Sequence, residues 1–159
     1  MDDVTFSLAL HVLSVVLWIG GVAMVTTVLL PMVQRFTSAQ ERMDFFFTIE
    51  RRFAWQARAT TLLVGGTGFY MAYRLNLWSA FLTLDGWWLD AMVLVWLLFT
   101  LMLFAAEPLF LDRWLQARAQ RAPDSTFMLL QRLHWVLLML SLITIFGAVA
   151  GSHGVSIFG

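Results

Sequence analysis

The residues in this chain that could do chemistry begin with His11, set in the stretch Leu10-His11-Val12-Leu13-Ser14-Val15-Val16-Leu17-Trp18-Ile19-Gly20-Gly21. That stretch belongs to a charge-free run from Val4 to Gln34, longer than the roughly 20 apolar residues that cross a hydrocarbon core. His11 and Trp18 are seven residues apart, so a helix sets them on one face two turns from each other, with the glycine pair close beyond. An ionisable ring at membrane depth is costly unless it faces protein and finds a partner, which makes His11 a functional candidate. The plainer reading is an imidazole that only hydrogen-bonds a neighbouring helix.

Two further histidines, His134 and His153, and the thioether of Met92 complete the set of candidate ligands. An imidazole in an apolar bundle, with a second imidazole or a thioether within reach on another helix, is the axial set of a b-type haem. The same nitrogen and sulfur donors, His11, Met92 and His153 with Met71, would also suit Cu(I). Trp18 and Arg52 are candidate contacts of a bound cofactor. The absence of cysteine excludes a disulfide, a thiolate site and a c-type haem attachment. All ten basic residues are arginine, so no role can rest on a lysine amine. Each candidate has a plainer alternative: Met92 as core or lipid-facing filler, His153 as part of a solvated Gly-Ser-His-Gly tail, Asp90 as an interfacial residue and Glu107 as a helix-end group.

The elements that must position these groups follow from hydropathy. Of 159 residues, 60% are hydrophobic and only 13% charged, and the mean hydropathy is +0.79, which predicts an integral membrane protein. Met1-Asp2-Asp3 lacks a basic n-region and the apolar run behind it is too long for a signal-peptide core, so the first helix is expected to be retained. The pattern predicts an all-α fold, a membrane four-helix bundle forming one domain over residues 1–159, with spans near 5–30, 53–73, 87–106 and 127–150. Pro31 is expected to close the first span and Pro108 to break or kink the third. Ser38 and Glu41 have capping-box spacing, and the absence of glycine and proline from Ala39 to Val64 predicts one long helix that begins in water and runs on as the second span. Residues 109–121 read as an amphipathic helix lying on the surface or protruding from it.

Nine of the ten arginines fall in or beside the two long connections, at Arg35, Arg42, Arg51, Arg52, Arg58, Arg113, Arg118, Arg121 and Arg132, and Arg74 stands alone on the other side. The positive-inside rule then makes both connections cytoplasmic helical extensions and leaves both termini outside. Depth along the helices sorts the polar groups into an outer set, His11, Asp90, Met92, His153 and Met71, and an inner set, His134, Glu107, Arg58 and Arg52. His134 lies roughly 15 Å or more from His11 along the membrane normal, too far to share one ion. Gly20, Gly21, Gly65, Gly66, Gly68 and Gly151 are expected to leave room for a macrocycle.

The Leu10-His11 start with Trp18 and Gly20-Gly21, the Ile49-Glu50-Arg51-Arg52-Phe53 stretch followed by Thr67-Gly68, and Gly86-Trp87-Trp88-Leu89-Asp90-Ala91-Met92 together cover about the first two thirds of the chain. In these pieces the chain resembles the superfamily of small bacterial membrane proteins that includes the CopD domain of copper-resistance proteins and the HemJ-type protoporphyrinogen oxidases. The resemblance implies the bacterial inner membrane and haem b ligation by His11. It also implies a second ligand near the start of the third helix, where the oxidases carry a proposed lysine and this chain has Met92. With no lysine, Met92 or His153 must serve, or the iron is five-coordinate, and the departure weakens the case for oxidase activity more than for haem.

The function expected from these residues is that of a membrane b-type cytochrome with haem near the periplasmic face, passing electrons to or from a quinone pool or serving as a subunit of a redox complex. The alternatives are CopD-type copper handling, a HemJ-like porphyrin oxidase and a purely structural subunit. The expected partners are the lipid bilayer, a quinone, and a second copy or larger redox complex, with no nucleic acid. At the inner set, His134 and Glu107 could hold a second haem or handle protons at a quinone site.

Overall fold

A computed structural model describes residues 2–36 and 38–153. Among them the chain is helical with no strand, and four long helices carry the fold. Helix α1 is Asp3–Val33, α2 is Ala39–Arg74, α3 is Trp87–Arg121 and α4 is Pro123–Ser152, with a short 3-10 turn at Leu77–Ala80 between α2 and α3. Three of them, α1, α3 and α4, are long and apolar enough to cross a membrane.

Local chemistry explains most of the helix ends. Asp2 caps α1 by accepting from the Thr5 N–H, and Ser38 caps α2 by accepting from the Glu41 N–H. From there α2 runs without a break for 36 residues, about 54 Å at 1.5 Å per residue, so it outreaches a 30 Å hydrocarbon core at one end. Pro123 opens α4 in the first turn, where its missing N–H costs nothing.

Pro31, expected to close the first span, does not, and Pro108, expected to break or kink the third, does not break it. Pro31 lies inside α1, which continues to Val33, because residues Val25–Leu29 form a wide π turn just before it. Thr26 and Thr27 turn their hydroxyls back onto the carbonyls of Val22 and Ala23 in the same stretch. Pro108 lies inside α3, in a π-helical segment Met102–Leu111, and the helix carries on to Arg121. Residues 109–121, expected to lie on the surface or to protrude from it, are therefore the continuation of the third helix. Their apolar side, Leu115 and Ala119, is buried against Met43 and Phe46 of α2 and Phe127 and Leu130 of α4.

Two cores result. One lies at the end where the connections gather, and Gln34 to Gln131 and Arg42 to Asp124 tie those connections together. The other lies mid-bundle and contains Trp18, Ile19 and Val22 of α1, Val64 of α2, Val95 and Phe99 of α3 and Leu138 of α4. The far end is closed by Asp3, whose carboxylate accepts from Tyr70 Oη at 2.7 Å and pairs with Arg74.

The glycines admit neighbouring side chains. A Cβ on Gly21 would meet the Phe53 ring, one on Gly65 would lie 2.6 Å from Trp96, and one on Gly151 would lie 2.3 Å from Trp88. The room expected for a macrocycle at these notches is taken by aromatic rings, and Gly20 and Gly66 face open space. Gly65→Ala is therefore expected to cost about 1–3 kcal/mol by overpacking. Its neighbour Gly66→Ala, with nothing within 4 Å, should leave stability equal or higher. Thermal unfolding of the two variants in detergent checks the contrast, and equal loss in both would contradict this packing.

Candidate functional site

His11 projects from α1 onto α2. Its Nδ1 lies 2.9 Å from Thr67 Oγ1, and its ring rests over Gly68, where a Cβ would lie 3.2 Å from Cε1. The Thr67 hydroxyl has one proton and two carbonyls of its own helix to give it to, Leu63 O at 2.5 Å and Val64 O at 3.2 Å. Toward the imidazole it must then accept, which assigns the proton to Nδ1 and leaves the lone pair on Nε2. That tautomer, with the second nitrogen held by a hydrogen bond, is the one a metal-binding histidine adopts.

The position of Met92 follows from packing one level deeper. Trp18 stands seven residues beyond His11, and Phe99 seven beyond Met92. Seven residues make almost two whole turns, so each pair shares a helix face, about 10.5 Å apart along the axis. The Trp18 and Phe99 rings meet edge to face at 4.8 Å between centroids. Helices α1 and α3 both start from the end closed by Asp3 and Arg74, so they run parallel. His11 and Met92 therefore lie at about one level along the bundle, one on α1 and the other on α3. Met92 is half-buried, one turn from Trp88, which packs on α4, and one turn from Trp96, which packs on α2.

The other candidates fall elsewhere. His153 is exposed at the last turn of α4, where its Nδ1–H donates to the Val149 carbonyl at 2.8 Å. The Gly154 that follows lies outside the described residues. Asp90 accepts from the Leu82 N–H at 3.1 Å and so pins the connection where Leu82 takes a positive φ of 60°. His134 donates from Nδ1 to Leu130 O of its own helix and sets its ring edge-on to Phe46. Trp18 is buried core, and Arg52 is exposed on α2. Among the described residues no three histidine, aspartate or glutamate side chains converge on a point that could hold a metal ion.

The inner set divides. His134 pairs with Phe46, whereas Arg58 reaches α3 and makes two bonds there, Nε–H to Leu103 O at 3.2 Å and a guanidinium N–H to Glu107 Oε1 at 2.9 Å. In a π-helix the partner of the Leu103 carbonyl is the N–H five residues on, and that residue is Pro108, which has none. Arg58 fills the vacancy that Pro108 creates.

Glu50, one turn before Ala54 on α2, was not singled out by the sequence as a site. Burial and then the carboxylates of Glu107 and Asp112 push its carboxyl from an ordinary 4.5 up to about 7, against the pull of Arg51 and Arg58. The folded chain thus holds this proton more tightly than the unfolded chain. The stability it contributes is full below pH 4.5 and is lost as pH rises through about 7. Unfolding midpoints measured across that window should fall with pH in the wild type, and Glu50→Gln should flatten the slope.

Sequence reasoning also missed Thr67 as the partner of His11. The available signal was a hydroxyl on the second helix at about the same distance from the outer end as the imidazole. No protein-family model, curated protein or solved structure matches the chain.

Proposed function

We propose that this chain is a membrane b-type cytochrome, an electron-transfer protein or the haem subunit of a redox complex, in which His11 and Met92 would hold the haem iron. The observation that carries the reading is the hydrogen bond from His11 to Thr67, which leaves Nε2 with a free lone pair at about the depth of the Met92 thioether on α3. The donor chemistry fits a haem iron, and haem would supply one-electron redox chemistry. The chain's own part is to fix the tautomer through Thr67, to seat the ring on Gly68, and to keep water out with the Trp18–Phe99 layer beneath. The likeness to the CopD and HemJ-type superfamily supports the same assignment.

In this reading all four helices span the bilayer of a bacterial inner membrane. Although α2 carries more charge than the others, it presents Leu62, Leu63 and Phe69 outward over its second half, as α1 presents Val12 and Val16 and α4 presents Ile143 and Phe146. The end where the connections meet holds the arginine-rich segments and is cytoplasmic; the end closed by Asp3, Tyr70 and Arg74 is periplasmic, and with it the level of His11.

The test is a reduced-minus-oxidised optical spectrum, with metal analysis, of protein purified from cells well supplied with iron and haem. A Soret band with stoichiometric iron supports the cytochrome. Copper without iron would favour a Cu(I) site on the same His11 and Met92 donors, and neither metal would leave His11 a packing residue.

A further inference from the structure

The connection from α2 to α3 is apolar for a loop: Leu75, Leu77, Trp78, Phe81, Leu82 and Leu84 stand in it beside a single charge, Asp85. Leu75, Trp78, Leu82 and Leu84 are exposed, Leu82 by 93% and Leu84 by 73%, so the bundle itself does not bury them. Leu82 also takes a left-handed backbone with φ 60°, which a Cβ disfavours and which glycine adopts freely. A bulky apolar side chain is held in strain and pointed outward.

The hold comes from α3. Asp90 accepts the Leu82 N–H at 3.1 Å, and Asp90 is three residues into its helix. Side chains lean toward the start of their own helix, so Leu82 lies beside the first turn of α3 and not above it. Gly86 tightens the same return, since its N–H donates to Thr83 O at 3.2 Å and to Thr83 Oγ1 at 3.0 Å. A Cβ on Gly86 would strike the Ala80 carbonyl, which accepts from the Thr83 hydroxyl at 2.6 Å. Polar groups of this turn are thus satisfied from within the protein, the condition for backbone that enters lipid.

The surface under Leu82 identifies what it meets. Leu94 lies one turn beyond Asp90, and Leu98 and Leu101 carry the same side of α3 onward, all of them exposed. Helix α3 is long and apolar enough to cross a membrane, and this row is the side it would turn to lipid. Leu82 stands at the head of that row and continues it.

We propose that residues 77–84 form a wedge seated in the lipid leaflet at this end of the bundle. Leu82 and Leu84 enter the acyl chains, Trp78, stacked on Phe81, lies at headgroup level, and Asp85 marks the water boundary. The partner is the lipid surface, and Asp90 is the positioning residue because it fixes the N–H that aims Leu82. The proposal rests on the reading that α3 spans the bilayer.

The chain has no cysteine, so a nitroxide label can be placed at one position at a time. In liposomes of phosphatidylethanolamine and phosphatidylglycerol, a label on Leu82→Cys should collide with oxygen in preference to a water-soluble nickel chelate, at a depth of about 5–10 Å. A label on Leu94→Cys should lie deeper, and one on Asp85→Cys should prefer nickel. Adding Asp90→Ala to Leu82→Cys should shift that label toward nickel, and an unmoved label would overturn the role of Asp90. Nickel contact at Leu82→Cys as free as at Asp85→Cys, with Leu94→Cys still in lipid, would overturn the wedge alone. Nickel contact at Leu94→Cys as well would remove the span and the wedge together. Should Asp90→Ala fail to fold, the three single labels decide the wedge by themselves.

Discussion

On the proposed cytochrome reading, His11→Ala is expected to abolish the haem spectrum, with iron content falling at least tenfold, while the helical circular dichroism is retained. The reasoning runs through one atom, Nε2, which the Thr67 hydrogen bond leaves as an acceptor. Thr67→Val leaves His11 in place and removes only the group that fixes its tautomer. Loss of such an outer partner ordinarily costs about 10- to 100-fold in affinity, so Thr67→Val should keep haem after mild purification and lose it on dilution. Met92→Ala should give a five-coordinate spectrum, and Met92→His should lower the reduction potential by replacing a thioether with an imidazole. His153→Ala and His134→Ala should leave the spectrum unchanged, since both rings donate to carbonyls of their own helix away from the His11 level. A full spectrum in His11→Ala, or a change confined to His153→Ala, would refute the ligand assignment.

The second large effect is expected at Arg58. Removing this side chain leaves two groups without a partner at once, the Glu107 carboxylate and the Leu103 carbonyl that Pro108 cannot serve. Both members of the ion pair are less than a quarter exposed, so solvent repays little of the loss. Breaking a pair in such surroundings costs about 3–5 kcal/mol, and Arg58→Ala should lower stability on that scale. Glu107→Gln keeps an acceptor for the guanidinium and should cost less, about 1–2 kcal/mol. Arg58→Lys keeps the charge but offers no planar fork to reach a carbonyl and a carboxylate together, so it should fall between the two. Denaturant or thermal unfolding in one detergent ranks the three. Wild-type stability in Arg58→Ala would show that the π segment does not need the arginine. Pro108→Ala supplies the missing N–H, so it should soften the Arg58→Ala loss.

Local rules in the sequence settled a definite part of this molecule. A charge-free run, a capping serine at position 38 and a stretch without glycine or proline are short-range facts, and they specify an all-helical chain with α2 unbroken from Ala39 into its apolar half. Seven-residue spacing already put His11 and Trp18 on one face. What local rules could not settle was where a helix ends once another helix can repair it. Pro31 looked like a stop and Pro108 like a break or a kink because the sequence shows a missing N–H and cannot show a π turn, or an arginine arriving from 45 residues away to take the orphaned carbonyl.

The glycines reveal the same limit from the other side. Composition marks them as room, but only the packed bundle decides that Phe53, Trp96 and Trp88 fill it. The site divides in the same way. Residue type marked His11 and Met92 as candidates, whereas the partner Thr67 and the meeting of Trp18 with Phe99 exist only between helices. Helix formation depends on neighbours a few positions along the chain, and tautomer, burial and pairing depend on atoms that folding brings from far away.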